Sequence, residues 1–168
     1  PDAIRAAGGE PVMWKTGHSL IKERMKALLA PLAGEMSGHM FFGEGFYGHD
    51  DALYGAARLL RIVANAGHTV RELLADVPAY FATPEIRVNC PDELKFDVVA
   101  RAVAHFRASH DVNDIDGVRV LFGDGWGLIR ASNTQPVIVT RFEARTRDRL
   151  AAIRAEMEGW LRAQGVKV

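Results

Sequence analysis

Residues 118–143, VRVLFGDGWGLIRASNTQPVIVTRFE, decide the reading of the fold. Three apolar, β-branched runs (118–122, 126–131 and 137–143) are separated by Gly123-Asp124-Gly125 and by Ser132-Asn133-Thr134-Gln135-Pro136. Runs of this length between Gly-rich and polar turns read as successive antiparallel strands. Upstream, residues 85–89 read as another strand, and Pro91 suits the first turn of a helix running to about residue 108. Downstream, Leu150, Ile153, Met157 and Trp160 or Leu161 recur on one face of a helix over 147–162. Strand, helix, three strands, helix predicts a small antiparallel-sheet domain with helices on one face.

Two prolines within 77–84 break the pattern, which divides the chain into domains at 1–80 and 81–168. The first part reads as a layered α/β domain, and only part of one. Residues 2–7 look like the tail of a helix stopped at Gly8-Gly9, a start that suggests a fragment of something longer. Residues 11–14 are a candidate strand, and 19–29 a helix with Ser19 as its cap. Short strands follow at 33–36 and 40–42, then a flexible loop at 43–48. Asp50-Asp51 start a long helix with an apolar stripe of Leu53, Ala56, Ala57, Leu60 and Val63 or Ala64, and a shorter helix covers 70–74.

The composition is that of an ordinary globular protein, with 48% hydrophobic and 25% charged residues. Basic and acidic residues number 21 each, so net charge makes no case for nucleic acid or an anionic membrane. No apolar run has the length of a membrane span, and no signal-peptide layout is present. Cys90 is the single cysteine, which excludes an internal disulfide and fits a reducing compartment; the expected location is cytoplasmic.

Three polar stretches carry chemistry. In Arg130-Ala131-Ser132-Asn133-Thr134-Gln135-Pro136 a forked guanidinium stands beside short hydroxyl and amide side chains on a turn, a combination suited to phosphate oxygens. A solvated hairpin turn of the same composition is the plain alternative. In Gly34-Glu35-Met36-Ser37-Gly38-His39 a carboxylate can accept from neighbouring sugar hydroxyls, a hydroxyl can donate or accept, and an imidazole can move a proton. Its alternative is a loop with incidental polar residues. Lys15-Thr16-Gly17-His18-Ser19 stands at a helix start, where free amides attract anions, or is simply a capping turn.

With these residues in view, the chain resembles the α-D-phosphohexomutases, in particular the bacterial phosphomannomutase/phosphoglucomutase group. The three stretches stand in the family's order along the whole chain, and Met36 looks like the mannose/glucose enzymes rather than the glucosamine ones. The resemblance implies that residues 1–80 are the C-terminal part of domain 3, with its sugar-binding loop, and 81–168 are domain 4, with its phosphate-binding loop. It implies interconversion of hexose 1-phosphate and hexose 6-phosphate through a bisphosphorylated sugar. Glu35 and Ser37 would bind ring hydroxyls, Arg130, Ser132, Asn133 and Thr134 the phosphate not being transferred, and Lys15 and His18 would help grip phosphate. His39 would lie near the reacting hydroxyl in an acid–base role.

The family's phosphorylated serine and the clustered Asp ligands of its Mg²⁺ have no counterpart among these residues. The expected partners are therefore the missing N-terminal domains of the same enzyme and a hexose phosphate, with Mg²⁺ and hexose 1,6-bisphosphate serving the full-length protein. This chain alone is expected to be inactive. A stand-alone, non-catalytic phosphosugar- or anion-binding module is the alternative. The remaining histidines and Cys90 show no metal-ligand spacing. Trp14, Trp126 and Trp160 are expected in the core, Arg145, Arg147, Arg149 and Arg154 on a solvated helix face, and Arg141 on the strand after the phosphate loop, in a position to assist it.

Overall fold

The computed structural model describes residues 1–168 and divides them into two units, Pro1–Pro78 and Ala79–Val168. In the first, α1 (Asp2–Ala6) stops where Gly8 takes a positive φ. The helix α2 (His18–Leu28) buries Ile21 and Met25, one turn apart on one face, against Phe41. Strands β1 (Leu32–Gly34) and β2 (Met40–Phe42) form an antiparallel pair. Successive residues of a strand point to opposite faces, so Phe41 meets α2 while Phe42 turns to Tyr54 of α3 (Ala52–Ala66), ring centroids 5.2 Å apart. The unit is thus layered helix, strands, helix. The Asp51 carboxylate caps α3 by accepting the Tyr54 amide hydrogen at 2.8 Å, and α4 (Val70–Leu73) opens with a Thr69/Glu72 capping box.

Several local expectations fail in this unit, each for a tertiary reason. Residues 11–14 form no strand, and Trp14 is 40% exposed under the Arg24 guanidinium rather than in a core. Ser19 does not cap α2: Gly17, at φ +132, holds the N-cap, and the Ser19 hydroxyl contacts His18 Nδ1 instead. The loop 43–48 is tied down, since Phe46 stacks on Tyr54 and the Tyr54 hydroxyl donates to the Gly45 carbonyl. On α3 it is the predicted stripe, including Leu53 and Leu60, that faces solvent. Tyr54, Gly55, Arg58, Val63 and Ala66 are the half-buried residues, so of the stripe only Val63 is partly covered.

The second unit holds β3 (Phe81–Ala82), β4 (Ile86–Asn89), α5 (Asp92–Arg107), β5 (Asp111–Asn113), β6 (Val118–Leu121), β7 (Gly125–Ala131), β8 (Val137–Ala144) and α6 (Arg147–Ala163). The order β5-β6-β7-β8 is antiparallel throughout, and β3 and β4 share the outer edge of β8. Alternation sets the faces. Val118, Ile129 and Thr140 stand in register, as do Val120, Gly127 and Phe142, and all the side chains among them are fully buried. Val98, Ala102 and Phe106 of α5 and Ile153, Met157 and Leu161 of α6 close over that same face. Gly125 and Gly127 make the close approach of α6 feasible, because a Cβ at either would collide with Ile153 or Met157. The Thr146 hydroxyl caps α6 by accepting the Arg149 amide hydrogen.

The short β3 and β5 escape sequence reading, having two and three residues with little burial. Trp160 packs at the edge of the core, whereas Trp126 lies on the opposite sheet face with Arg119 stacked over it. Not all the late arginines are merely solvated. Arg149 ties α6 to the β6–β7 turn through Asp124 at 2.7 Å, and Arg154 pairs with the buried Glu158. No helix is long and apolar enough to cross a membrane.

Candidate functional site

The sugar-loop candidate is the tip of the β1–β2 hairpin. The ladder continues one step past Gly34 and Met40, since the Glu35 amide donates to the His39 carbonyl at 2.9 Å. Glu35 and His39 are therefore cross-strand neighbours, and their side chains meet, Nδ1 to Oε2 at 2.9 Å. Between them Met36, Ser37 and Gly38 turn the chain, with Gly38 at φ +94 donating to the Glu35 carbonyl. Ser37 Oγ lies 3.5 Å from His39 Nδ1.

The other Glu35 oxygen accepts the Gly17 amide hydrogen at 3.0 Å, at the start of α2. A carboxylate is favoured at a helix N-terminus, and this bond joins the Lys15–Ser19 stretch to the Glu35–His39 stretch. The Glu35 side chain is only 13% exposed, while His39 is 55% exposed. Lys15 and His18 are exposed beside this junction.

Asp50 completes the cluster, and sequence reading placed it elsewhere. Only Asp51 belongs to the helix start. Asp50 turns back, accepting the Met40 amide hydrogen at 3.3 Å and standing 4.0 Å from His39 Nε2. The hydrogen bond to Glu35, then the charge of Asp50, raise the His39 pKa above its ordinary value. His39 thus has a carboxylate at each ring nitrogen, an arrangement that favours the imidazolium and a proton held for donation.

The phosphate-loop candidate links β7 to β8. Ile129 and Ala131 point into the core, so Arg130 points to the face opposite the helices. It lies level with Val139 and, beyond it, Arg87 of β4. Glu85 stands between the guanidinia, 3.0 Å from Arg87 Nε and 3.9 Å from Arg130. Ser132 is buried, and its Oγ accepts the amide hydrogens of Thr134 (3.3 Å) and Gln135 (3.2 Å). The serine therefore shapes the turn with its lone pairs and keeps its own proton to donate. Asn133 and Thr134 are exposed at the tip.

Two supports of this loop were not singled out in the sequence. Arg87 donates to the Gln135 side-chain oxygen at 3.0 Å, and the buried Lys95 donates to the Gln135 carbonyl at 3.0 Å. Neither lies in a motif, so only their position in space reveals them. Arg141 lies on β8 level with Leu128, on the same sheet face as Arg130 and two residues along the strand from the Arg130–Val139 pair. Cys90 is buried, which pushes its thiol pKa up against the opposing pull of Lys95 and makes it a poor nucleophile. No group of three or more His, Cys, Asp or Glu side chains is placed to hold a metal ion, so the donor set does not fit a Mg²⁺ site.

Comparison with known proteins gives the family. The model of the phosphoglucomutase/phosphomannomutase alpha/beta/alpha domain III matches residues 1–81, and that of the C-terminal domain matches residues 85–159. The chain is 45% identical over 161 residues to a phosphomannomutase/phosphoglucomutase of Pseudomonas aeruginosa, covering 95% of this chain and 35% of that protein. It is 47% identical over 146 residues to a phosphoglucomutase of Neisseria gonorrhoeae, covering 85% of this chain and 32% of the relative. A crystal structure of a phosphoglucomutase/phosphomannomutase family protein from Burkholderia thailandensis superposes with a TM-score of 0.82 at 46% identity, covering 95% of this chain and 34% of that one. The chain thus spans about a third of the length of the curated relatives it matches. With both family models matched in order over nearly all its residues, the chain belongs to the phosphoglucomutase/phosphomannomutase family.

Proposed function

We propose that this chain supplies the sugar-hydroxyl and distal-phosphate contacts of a phosphohexomutase. That enzyme interconverts hexose 1-phosphate and hexose 6-phosphate, of glucose or mannose, through a bisphosphorylated sugar. The observation that carries the reading is the Glu35 cluster, in which one carboxylate joins the Gly17 amide and the His39 imidazole. Packing requires no such polar group at a hairpin tip, whereas recognition of a polyhydroxylated ring does. In this reading residues 1–80 are the C-terminal part of domain 3 and 81–168 are domain 4. The domains that precede them in the family are the chain's natural partners.

Both Glu35 oxygens are engaged, yet each keeps a second lone pair for a ring hydroxyl. Ser37 adds a donor, and His39 delivers or removes a proton at the reacting hydroxyl. Arg130, the Ser132 hydroxyl, Asn133 and Thr134 hold the phosphate that is not being transferred, while Lys15 and His18 add positive charge beside α2. An arriving phosphate competes with Glu85 for Arg130, exchanging a distant carboxylate for bidentate contact. Remote phosphate binding of this kind positions the opposite end of the sugar for transfer. The phosphorylated serine and the Mg²⁺ ligands lie outside these residues, and hexose 1,6-bisphosphate serves the complete enzyme.

Titration of the chain with glucose 1-phosphate or mannose 1-phosphate, followed by amide NMR, tests the reading. Shifts at 35–39 and 130–136 are expected, and their absence from both stretches would overturn it. A coupled mutase assay on the same sample is expected to show no turnover. Turnover would require a phosphoryl acceptor within these residues and would sink the division of labour.

A further inference from the structure

Lys95 is a lysine in the wrong place for stability alone. Its side chain is 4% exposed, on the first turn of α5, where the helix dipole already presents positive charge. Burying an ammonium is unfavourable unless each donor is met, and a cation at a helix N-terminus adds to that cost. Asp92, one turn earlier, supplies a counter-charge at 2.5 Å. Yet Asp92 is itself exposed, so the pair alone gives no reason for Lys95 to reach inward. Its inward partner is the Gln135 carbonyl, at 3.0 Å across 40 residues of sequence.

That carbonyl is the last turn of the phosphate loop. It also accepts the Val137 amide hydrogen at 2.8 Å, where the chain tightens into β8. The Gln135 amide hydrogen goes to Ser132 Oγ, and its side chain is held by Arg87. Gln135 is thus fixed by its amide, its carbonyl and its side chain, and two of its holders are cations outside the loop. We infer that Lys95 is a positioning residue for anion binding: it locks the 132–136 turn from behind through the Gln135 carbonyl. The inference rests on the functional reading above.

The test compares Lys95→Met with the parent chain by amide hydrogen exchange and by titration with glucose 1-phosphate. Methionine keeps the stem and removes the ammonium. The expected result is faster exchange at Thr134, Gln135 and Val137, with core amides of β7 unchanged and binding about tenfold weaker. A folded variant with parent-like loop exchange and affinity would overturn the inference. A lower Tm with unchanged affinity would do the same, marking Lys95 as merely structural. Should the variant not fold, the Lys95 ammonium resonance of the parent chain decides: a shift on adding inorganic phosphate supports the inference, and no shift overturns it. Failure of the parent chain to bind glucose 1-phosphate would instead remove the functional reading, which separates the two failures.

Discussion

The two units hold their polar motifs in opposite ways. The candidate phosphate loop grows from the two longest strands of a sheet whose face is sealed by two helices, and it is braced from α5 and β4. The sugar-loop hairpin rises from a pair of three-residue strands, over a buried cluster of only Ile21, Met25 and Phe41. A heavily buried element opens only with its domain, whereas a lightly packed one opens locally at much lower cost. Amide exchange is accordingly expected to be slowest at Ile138 and Thr140 and much faster at Glu35 and Gly38.

The largest expected effect lies in the sealed core. Phe142→Ala removes a fully buried ring and should destabilise the second unit by about 3–5 kcal/mol in denaturant unfolding. Leu60→Ala, on the exposed stripe of α3, should change stability by less than about 0.5 kcal/mol. Similar costs for the two truncations would erase the contrast between the units. Next in size, Arg130→Gln removes a charge-assisted donor and should weaken glucose 1-phosphate binding by about 1.5–3 kcal/mol. Calorimetric titration that finds parent affinity would reassign the loop as a plain turn. Thr146→Ala unties the α6 cap and should cost about 1 kcal/mol, read from the unfolding midpoint.

The smallest effect sharpens the description of the hairpin. His39 is raised above its ordinary value near 6.5 by Glu35 and Asp50. Its contribution to stability is therefore complete below about pH 6.5 and is lost as pH rises through the higher folded value. Glu35→Gln removes the largest cause, so the His39 titration followed by NMR should move down toward the ordinary value. An unmoved titration would mean that the pair is not populated in solution.

Legibility followed the range of the forces involved. The apolar, β-branched run at 137–143 and the one-face pattern of Ile153, Met157 and Leu161 survive in sequence because each is set by residues within a few positions of one another. The same logic failed for residues 11–14 and for the α3 stripe, where an apolar pattern announces a buried face but not whether anything covers it. The capping error at Ser19 has a related cause: Gly17 at φ +132 redirects the chain, and the Glu35 carboxylate meets the helix start in place of a local hydroxyl. Ser132 was legible as part of a phosphate motif, but its lone pairs proved to be spent on the loop's own amides.

What the amino-acid order determined alone was local: strand and helix periodicity, turn chemistry, and three short stretches whose donors and acceptors suit a sugar phosphate. Only the tertiary structure decided that Glu35 bridges to Gly17, 18 residues away, and that Asp50 faces His39 instead of a helix. It alone decided that Lys95, an unremarked residue in a helical pattern, is buried against the 132–136 turn. Burial and long-range hydrogen bonds depend on which distant segments arrive at a residue, and desolvation then gives an ordinary side chain a strength that its type does not reveal.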